Sequence, residues 1–387
     1  MKKVRPWIQR IHRLMTLIFV AWMVFEIMTG TVLLFWDQLE ALFYPQLFEV
    51  TENATVQPQQ IYQDLRTNYS DWESIEFGNL GEARAIKVSL YDYDEIRPER
   101  TLYFSPATGQ LIRELPNHQN ILYFIWRLHK NLWLTSEIGV PLLGYLAGVP
   151  LIIMILTGLY LWFPRINHWS TAFKLRRQNS FIWNYSLHRL IGIAIALPLL
   201  VIITPMLGGY NLGDTIGPVY RSLGLPIIPA PEVVSTPRGD LPLPLDRFIQ
   251  AAQERYPEGQ VTGIYIDDST NPAGVVDVSV VLPDHPARGA HYADVIGLQL
   301  SFEQYTGKIL AVYNPQDWPL LTRILTGDWM FALHYATWGG VITRLIEAGV
   351  GLLALGLAWT GIRQWWVKRQ RKRNRIERGN AIAVNSN

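Results

Sequence analysis

Four apolar runs, each long enough to cross a bilayer as a helix, constrain this chain more than any other feature. They extend from about Leu14 to Trp36, Gly139 to Phe163, Leu190 to Gly209 and Gly339 to Trp366. A hydrocarbon core of about 30 Å asks for about 20 such residues. The fourth run carries Arg344, Glu347 and Arg363, which are expected at an interface or inside a bundle. Charged residues are only 17% of the chain, under the roughly 25% of soluble domains, so a membrane protein is expected. The net charge of +2 carries no nucleic-acid signature. The chain has no cysteine, which excludes disulfides, thiol chemistry, thiolate-held clusters and covalent haem attachment.

Charge placement orients the runs. The first is preceded by Lys2, Lys3, Arg5, Arg10 and Arg13. It resembles a signal sequence, but its length and the lack of a small-residue cleavage site suggest an uncleaved anchor. Arg165, Lys174, Arg176 and Arg177 fill the loop after the second run, and the tail reads "VKRQRKRNRIER". The positive-inside pattern puts these three segments in the cytoplasm. The expected organisation is a first span in 1–36, a module in 37–128, a second span in 129–163, a basic loop in 164–182, a third span in 183–209, a second module in 210–333, a fourth span in 334–366 and a cytoplasmic tail in 367–387. Each module alternates as strands do ("AIKVSLYDY", "VVDVSVVLP"), and "LPLDRFIQAAQERYPEG" has helical spacing with a Pro-Glu-Gly stop. A Pro-rich linker, "GLPIIPAPEVVSTPRGDLPLP", precedes the second module.

The halves repeat each other. His-Arg-Leu opens the first and third spans, at His12–Arg13 and His188–Arg189. Leu-His-x-x-x-Trp precedes the second and fourth, at His129/Trp133 and His334/Trp338. Thr-Gly closes the second and fourth, at Thr157–Gly158 and Thr360–Gly361, and Thr-Gly recurs in both modules at Thr108–Gly109 and Thr306–Gly307. Such parallel halves are related by an axis along the membrane normal. His12 then faces His188 at the cytoplasmic end, and His129 faces His334 at the outer end.

One histidine beside a basic residue at a span end is ordinary interfacial anchoring. Four in two matched pairs point instead to two six-coordinate haems, each held by two imidazoles, with Arg13 and Arg189 pairing propionates. A zinc or copper site is disfavoured, because the pairs lie on opposite faces and no thiolate is present. Gly30, Gly144, Gly148, Gly192 and Gly351 are candidates for close approach of a flat ring, and Trp133 and Trp338 for a wall or an interfacial belt. His118, His168, His285 and His291 lack repeat partners and read as surface residues, with His285 or His291 the candidates for meeting a substrate.

In their combined order these motifs resemble the PepSY-associated transmembrane proteins over nearly the whole chain, and in particular diheme inner-membrane ferric-siderophore reductases. The resemblance implies a four-transmembrane-helix bundle with two extracytoplasmic α/β PepSY-like modules, internally duplicated. It also implies two haem b groups and electron transfer to ferric siderophore iron in the periplasm of a bacterium. Some relatives carry a fused flavin and nicotinamide domain. Here no G-x-G-x-x-G follows a strand, so a quinol or a separate reductase is expected as donor. A non-enzymatic sensor or transporter accessory subunit, or a quinone-linked haem carrier, is the alternative.

Overall fold

A computed structural model describes residues 4–49, 58–69, 72–91, 98–163, 172–211, 213–225, 231–239, 241–266, 270–286 and 297–385. Arg165, His168 and His291 lie outside them.

Four helices are long and apolar enough to cross a membrane: Arg5–Leu33, Ser136–Trp162, Ser180–Gly208 and Gly340–Glu377. They pack in a ring, first on second, second on third, third on fourth and fourth on first. Ile195, Val350 and Ala354 form a buried seam between the third and fourth, flanked by Ile27, Leu199 and Leu357. Leu17, Ile18, Leu156, Leu197, Leu352 and Trp359 point outward and stay exposed. On a soluble domain such a belt would mark an interface; on this bundle it is the lipid face.

The first three helices start earlier than their apolar runs. Asn179 caps the third, accepting from the N–H groups of Phe181 and Ile182, and Pro6 lies in the first turn of the first, where its missing N–H costs nothing. Hydropathy marks the membrane, whereas caps mark the helix. His12 and His188 are therefore well inside their helices rather than at the lip. His129 and His334 do the reverse. Each lies at the end of a short separate helix, Ile121–Asn131 and Asp328–His334, before its span begins. Leu132 and Trp133 (φ 61° and 60°) and Ala336 (φ 55°) are left-handed and break these helices from the spans.

Outside the bundle, β1 (Ser74–Gly78), β2 (Ile86–Tyr91), β3 (Pro98–Phe104) and β4 (Leu111–Pro116) belong to the first module. β5 (Gln260–Ile266), β6 (Val275–Val281), β7 (Leu298–Glu303) and β8 (Ile309–Tyr313) belong to the second. The modules share one antiparallel sheet, β4-β3-β2-β1-β5-β6-β7-β8. The join is β1 on β5, with Ile75 opposite Ile266 and Phe77 opposite Ile264. Gly263 permits this join, because a Cβ there would sit 2.8 Å from the Phe77 carbonyl oxygen. Two amphipathic helices, Pro58–Asn68 and Leu245–Arg255, cover one face. They bury Ile61, Leu65, Phe248 and Ala252 against Phe77, Val88, Val278 and Phe302. The Thr-Gly pairs of the modules close the β3–β4 and β7–β8 hairpins, with Gly109 and Gly307 at φ 69° and 70°.

Sheet and bundle are tied by charge. Asp37, just past the first span, reaches Arg84 of the first module and Arg344 of the fourth span, each at 3.4 Å. Arg84 also pairs with Glu82. Buried Glu40 accepts from the Tyr103 hydroxyl at 3.0 Å.

Candidate functional site

The duplication brings the four histidines together as two facing pairs. The His12 and His188 ring centres are 6.5 Å apart with planes at 83°, at the tail end of the bundle. The His129 and His334 centres are 6.2 Å apart with planes at 24°, at the sheet end. Along the first span, His12 and Thr29 mark the two levels, and 17 residues (12 to 29) at 1.5 Å each separate them by about 25 Å. No imidazole can serve both levels.

Each ring is fixed through Nδ1. His12 Nδ1 lies 2.9 Å from Thr157 Oγ1, His188 Nδ1 2.9 Å from Thr360 Oγ1, and His129 Nδ1 3.0 Å from Thr29 Oγ1. The hydroxyl protons are already committed. Thr157 donates to the Ile153 carbonyl, Thr360 to Leu357 and Thr29 to Phe25. With those protons given to the carbonyls, each threonine oxygen accepts from Nδ1–H and leaves Nε2 its lone pair. His334 Nδ1 meets the Ile202 carbonyl at 3.3 Å, again an acceptor only, which fixes the same tautomer. Among the described residues none of the four Nε2 atoms has a hydrogen-bond partner. The second half departs from the first at this point. Thr29–Gly30 is matched by Thr204–Pro205. Pro205 has no N–H, and the Met206 N–H turns to Ile203.

The glycine of each Thr-Gly pair packs against the ring that its threonine holds, and at Gly30 a side chain would collide with it. A Cβ on Gly158 or Gly361 would lie 3.4 Å from Cε1 of His12 or His188, and one on Gly30 only 2.9 Å from Cε1 of His129. The sheet-side pair lines an apolar cavity of about 320 Å³. Gly30, Gly144, Gly148 and Gly351 are on its wall, while Gly192 packs on Leu357 instead. Two π-helical stretches, Gly144–Gly148 and Met206–Asn211, shape the wall where the second and third spans depart from regular helix. Its charged side chains besides the histidines are Glu26, Lys130 and Glu347. Lys130 Nζ stands 4.3 Å from the Trp126 ring centre and 5.6 Å from that of Tyr210.

The short helices bearing His129 and His334 are braced. Buried Arg127 donates to the Leu134 carbonyl across the break after His129. Asp328, wholly buried, takes two bonds from Arg323, at 2.9 and 2.6 Å, at the start of the helix that ends in His334.

Arg13 is exposed, while half-buried Arg189 donates to the Ala172 carbonyl at 3.4 Å. Trp133 donates back to the Phe124 carbonyl of the preceding helix, and Trp338 is half exposed; Trp126, not singled out from sequence, lines the cavity. His118 is exposed as expected. His285 is not a surface residue: it is 5% exposed, folded in by the turn after β6 that bonds its N–H to Leu282. Among the described residues no group of three or more His, Asp or Glu side chains converges on one point, as a zinc site would require. Glu26, Lys130 and the threonine acceptors are the functional candidates that sequence reasoning missed. The Thr-Gly repeat was their visible trace; Glu26 left none.

The fold and its histidines define a duplicated four-span membrane protein with an imidazole pair at each of two depths. The sequence matches the PepSY-associated TM region family over residues 9–368, and the chain belongs to that family. No curated protein matches it.

Proposed function

We propose that the chain carries electrons across the membrane through two b-type haems and reduces ferric siderophore iron on the sheet side. The observation that carries this reading is the spacing of the imidazoles. A metal–imidazole bond is about 2.0 Å and the ring centre lies about 1.1 Å behind the nitrogen, so two opposed imidazoles on one ion would have centres about 6.2 Å apart. The pairs stand at 6.5 and 6.2 Å. The fixed tautomer supports it further, since a ligand imidazole needs Nε2 bare and Nδ1–H donated to a neighbour. His12 and His188 would hold one haem, and His129 and His334 the other. Bound there, haem would supply reversible one-electron chemistry.

The chain's own residues do the rest. Thr29, Thr157 and Thr360 fix the imidazole planes, and the apolar walls keep water away. Lys130 is suited to a propionate at the sheet end, the role expected of Arg13 and Arg189 at the other. One electron from a donor at the tail end, a quinol or a separate reductase, converts chelated Fe(III) to Fe(II). Hard oxygen ligands hold Fe(II) far less tightly, so the iron is released. Arg5, Arg10, Arg13, Lys174, Arg176, Arg177 and the tail from Lys368 onward gather at one end of the bundle. This supports a bacterial inner-membrane protein with cytoplasmic termini and a periplasmic sheet.

Pure protein from haem-replete cells should show a Soret band and two non-covalent haems per chain. After dithionite reduction, a ferric hydroxamate should reoxidise it without oxygen, with Fe(II) trapped by a ferrous chelator. A well-folded colourless preparation sinks the haem reading. A coloured one oxidised by quinones but by no ferric siderophore sinks the substrate.

A further inference from the structure

Glu26 is one helical turn before Thr29 on the first span, and both reach the same histidine. Its Oε2 lies 3.1 Å from His129 Nδ1. The residue is 9% exposed, and its other oxygen, Oε1, is buried with no hydrogen-bond partner among the described residues. An acid in this setting is costly, so bundle packing does not explain it. The other three histidines use neutral acceptors: Thr157, Thr360 and the Ile202 carbonyl. The offset that carries His12 to His188 carries Glu26 to Ile202, and the one that matches Thr29 with Thr204 carries it to Val201. The duplication therefore has an acid in one half and an aliphatic residue in the other.

We infer that Glu26 is a positioning residue that gives His129 imidazolate character and so makes the sheet-side haem the stronger reductant than it would be on neutral acceptors alone. The inference rests on the haem reading. A carboxylate accepting from Nδ1–H pulls that proton away and raises the donor strength of Nε2. A stronger axial donor favours ferric over ferrous iron. The anionic charge itself acts the same way, because ferric haem carries one more positive charge and the cavity is apolar. Lys130 and Glu347 face the same cavity and are the same in wild type and in the Glu26 variant. The consequence suits the chemistry. Tight oxygen chelation of Fe(III) makes siderophore iron hard to reduce, and the haem next to the sheet is the last donor in the chain.

The test is redox titration of full-length wild type and Glu26→Gln, with haem content measured first. Glutamine keeps the shape and a neutral acceptor oxygen. At a fixed ambient potential the reduced-to-oxidised ratio of the sheet-side haem should rise at least tenfold, about 59 mV for a one-electron couple. The tail-side haem should not move. Two bound haems with neither midpoint shifted would show Glu26 to be structural and overturn the inference while leaving the haem reading standing. Absence of haem from wild type would fail that reading instead. Should Glu26→Gln lose its sheet-side haem, the near-infrared charge-transfer bands of ferric wild type decide, since their energy follows axial donor strength. Distinct bands for the two haems support the inference, and a single neutral-imidazole position for both overturns it.

Discussion

On the proposed function, replacing Thr157 by valine should weaken one haem site and spare the other. Valine keeps the shape and the β-branch of threonine and removes only the acceptor. In the native chain Thr157 Oγ1 sits 2.9 Å from His12 Nδ1 and sends its own proton 2.6 Å to the Ile153 carbonyl. Without a ligand, His12 can escape the loss by moving its proton to Nε2. With iron on Nε2 it cannot, and the Nδ1–H loses its threonine acceptor. That costs about 1–3 kcal/mol. At about 1.4 kcal/mol per factor of ten, affinity at the tail-side site falls about 5- to 150-fold. The assay is haem loss to an excess of scavenging apoprotein, followed optically, with the sheet-side haem as internal standard. Thr157→Ser, which keeps the hydroxyl, should behave like wild type, and Thr360→Val should repeat the effect through His188. Equal weakening of both sites, or a serine variant as poor as valine, would refute the tautomer argument.

Four further outcomes are expected. Gly30→Ala drives a methyl to 2.9 Å from His129 Cε1, so the ring must shift by about half an ångström and the sheet-side haem spectrum should change while the tail-side one does not. The ring planes, at 83° in one pair and 24° in the other, should give two low-spin ferric electron-resonance signals, the near-perpendicular pair the more anisotropic; a single signal would show that the pairs do not keep these angles. Asp328→Asn breaks a buried bidentate pair with Arg323, which costs about 3–5 kcal/mol and should lower the thermal midpoint and loosen the sheet-side haem, read by melting and haem retention. Burial and then the Glu40 carboxylate hold the Tyr103 phenol well above its ordinary 10.0. Its contribution to stability is complete below that value and is lost as pH rises past it, so alkaline unfolding should be less steep in Tyr103→Phe.

Much of this was legible in the sequence because the chain says it twice. Four spans follow from hydropathy, and the pairing of His12 with His188 and of His129 with His334 follows from the duplication. What stayed hidden is non-local. The Thr-Gly ends of the spans were visible as a repeat, yet the partner of Thr157 is 145 residues away, and no local pattern joins a hydroxyl to an imidazole at that distance. The fusion of the modules through β1 and β5 depends on edges that meet only after both modules fold. Glu26 lies inside an apolar run where a lone acid reads as tolerated noise. The breaks after His129 and His334 depend on left-handed backbone at Leu132, Trp133 and Ala336, residue types that give no such signal.

Duplication followed by local change also explains how one scaffold can hold two unlike sites. The tail-side pair is nearly symmetric: each histidine has a threonine acceptor from its own half and a glycine packed against its ring. The sheet-side pair is not. His129 has Thr29, Glu26 and Gly30, while His334 has only a carbonyl beside Pro205. An evenly built pair suits a haem that takes and passes on electrons. At the end facing the folded sheet a carboxylate on one ligand and a basic Lys130 on the wall break the symmetry. On the proposed function this is where asymmetry belongs, because the final donor must match a particular acceptor whereas the first need only keep it supplied. The two ends share a ligand type and a spacing, and they differ in the groups that touch Nδ1. On that reading the difference in their chemistry is set one hydrogen bond beyond the histidines, in the groups that touch Nδ1.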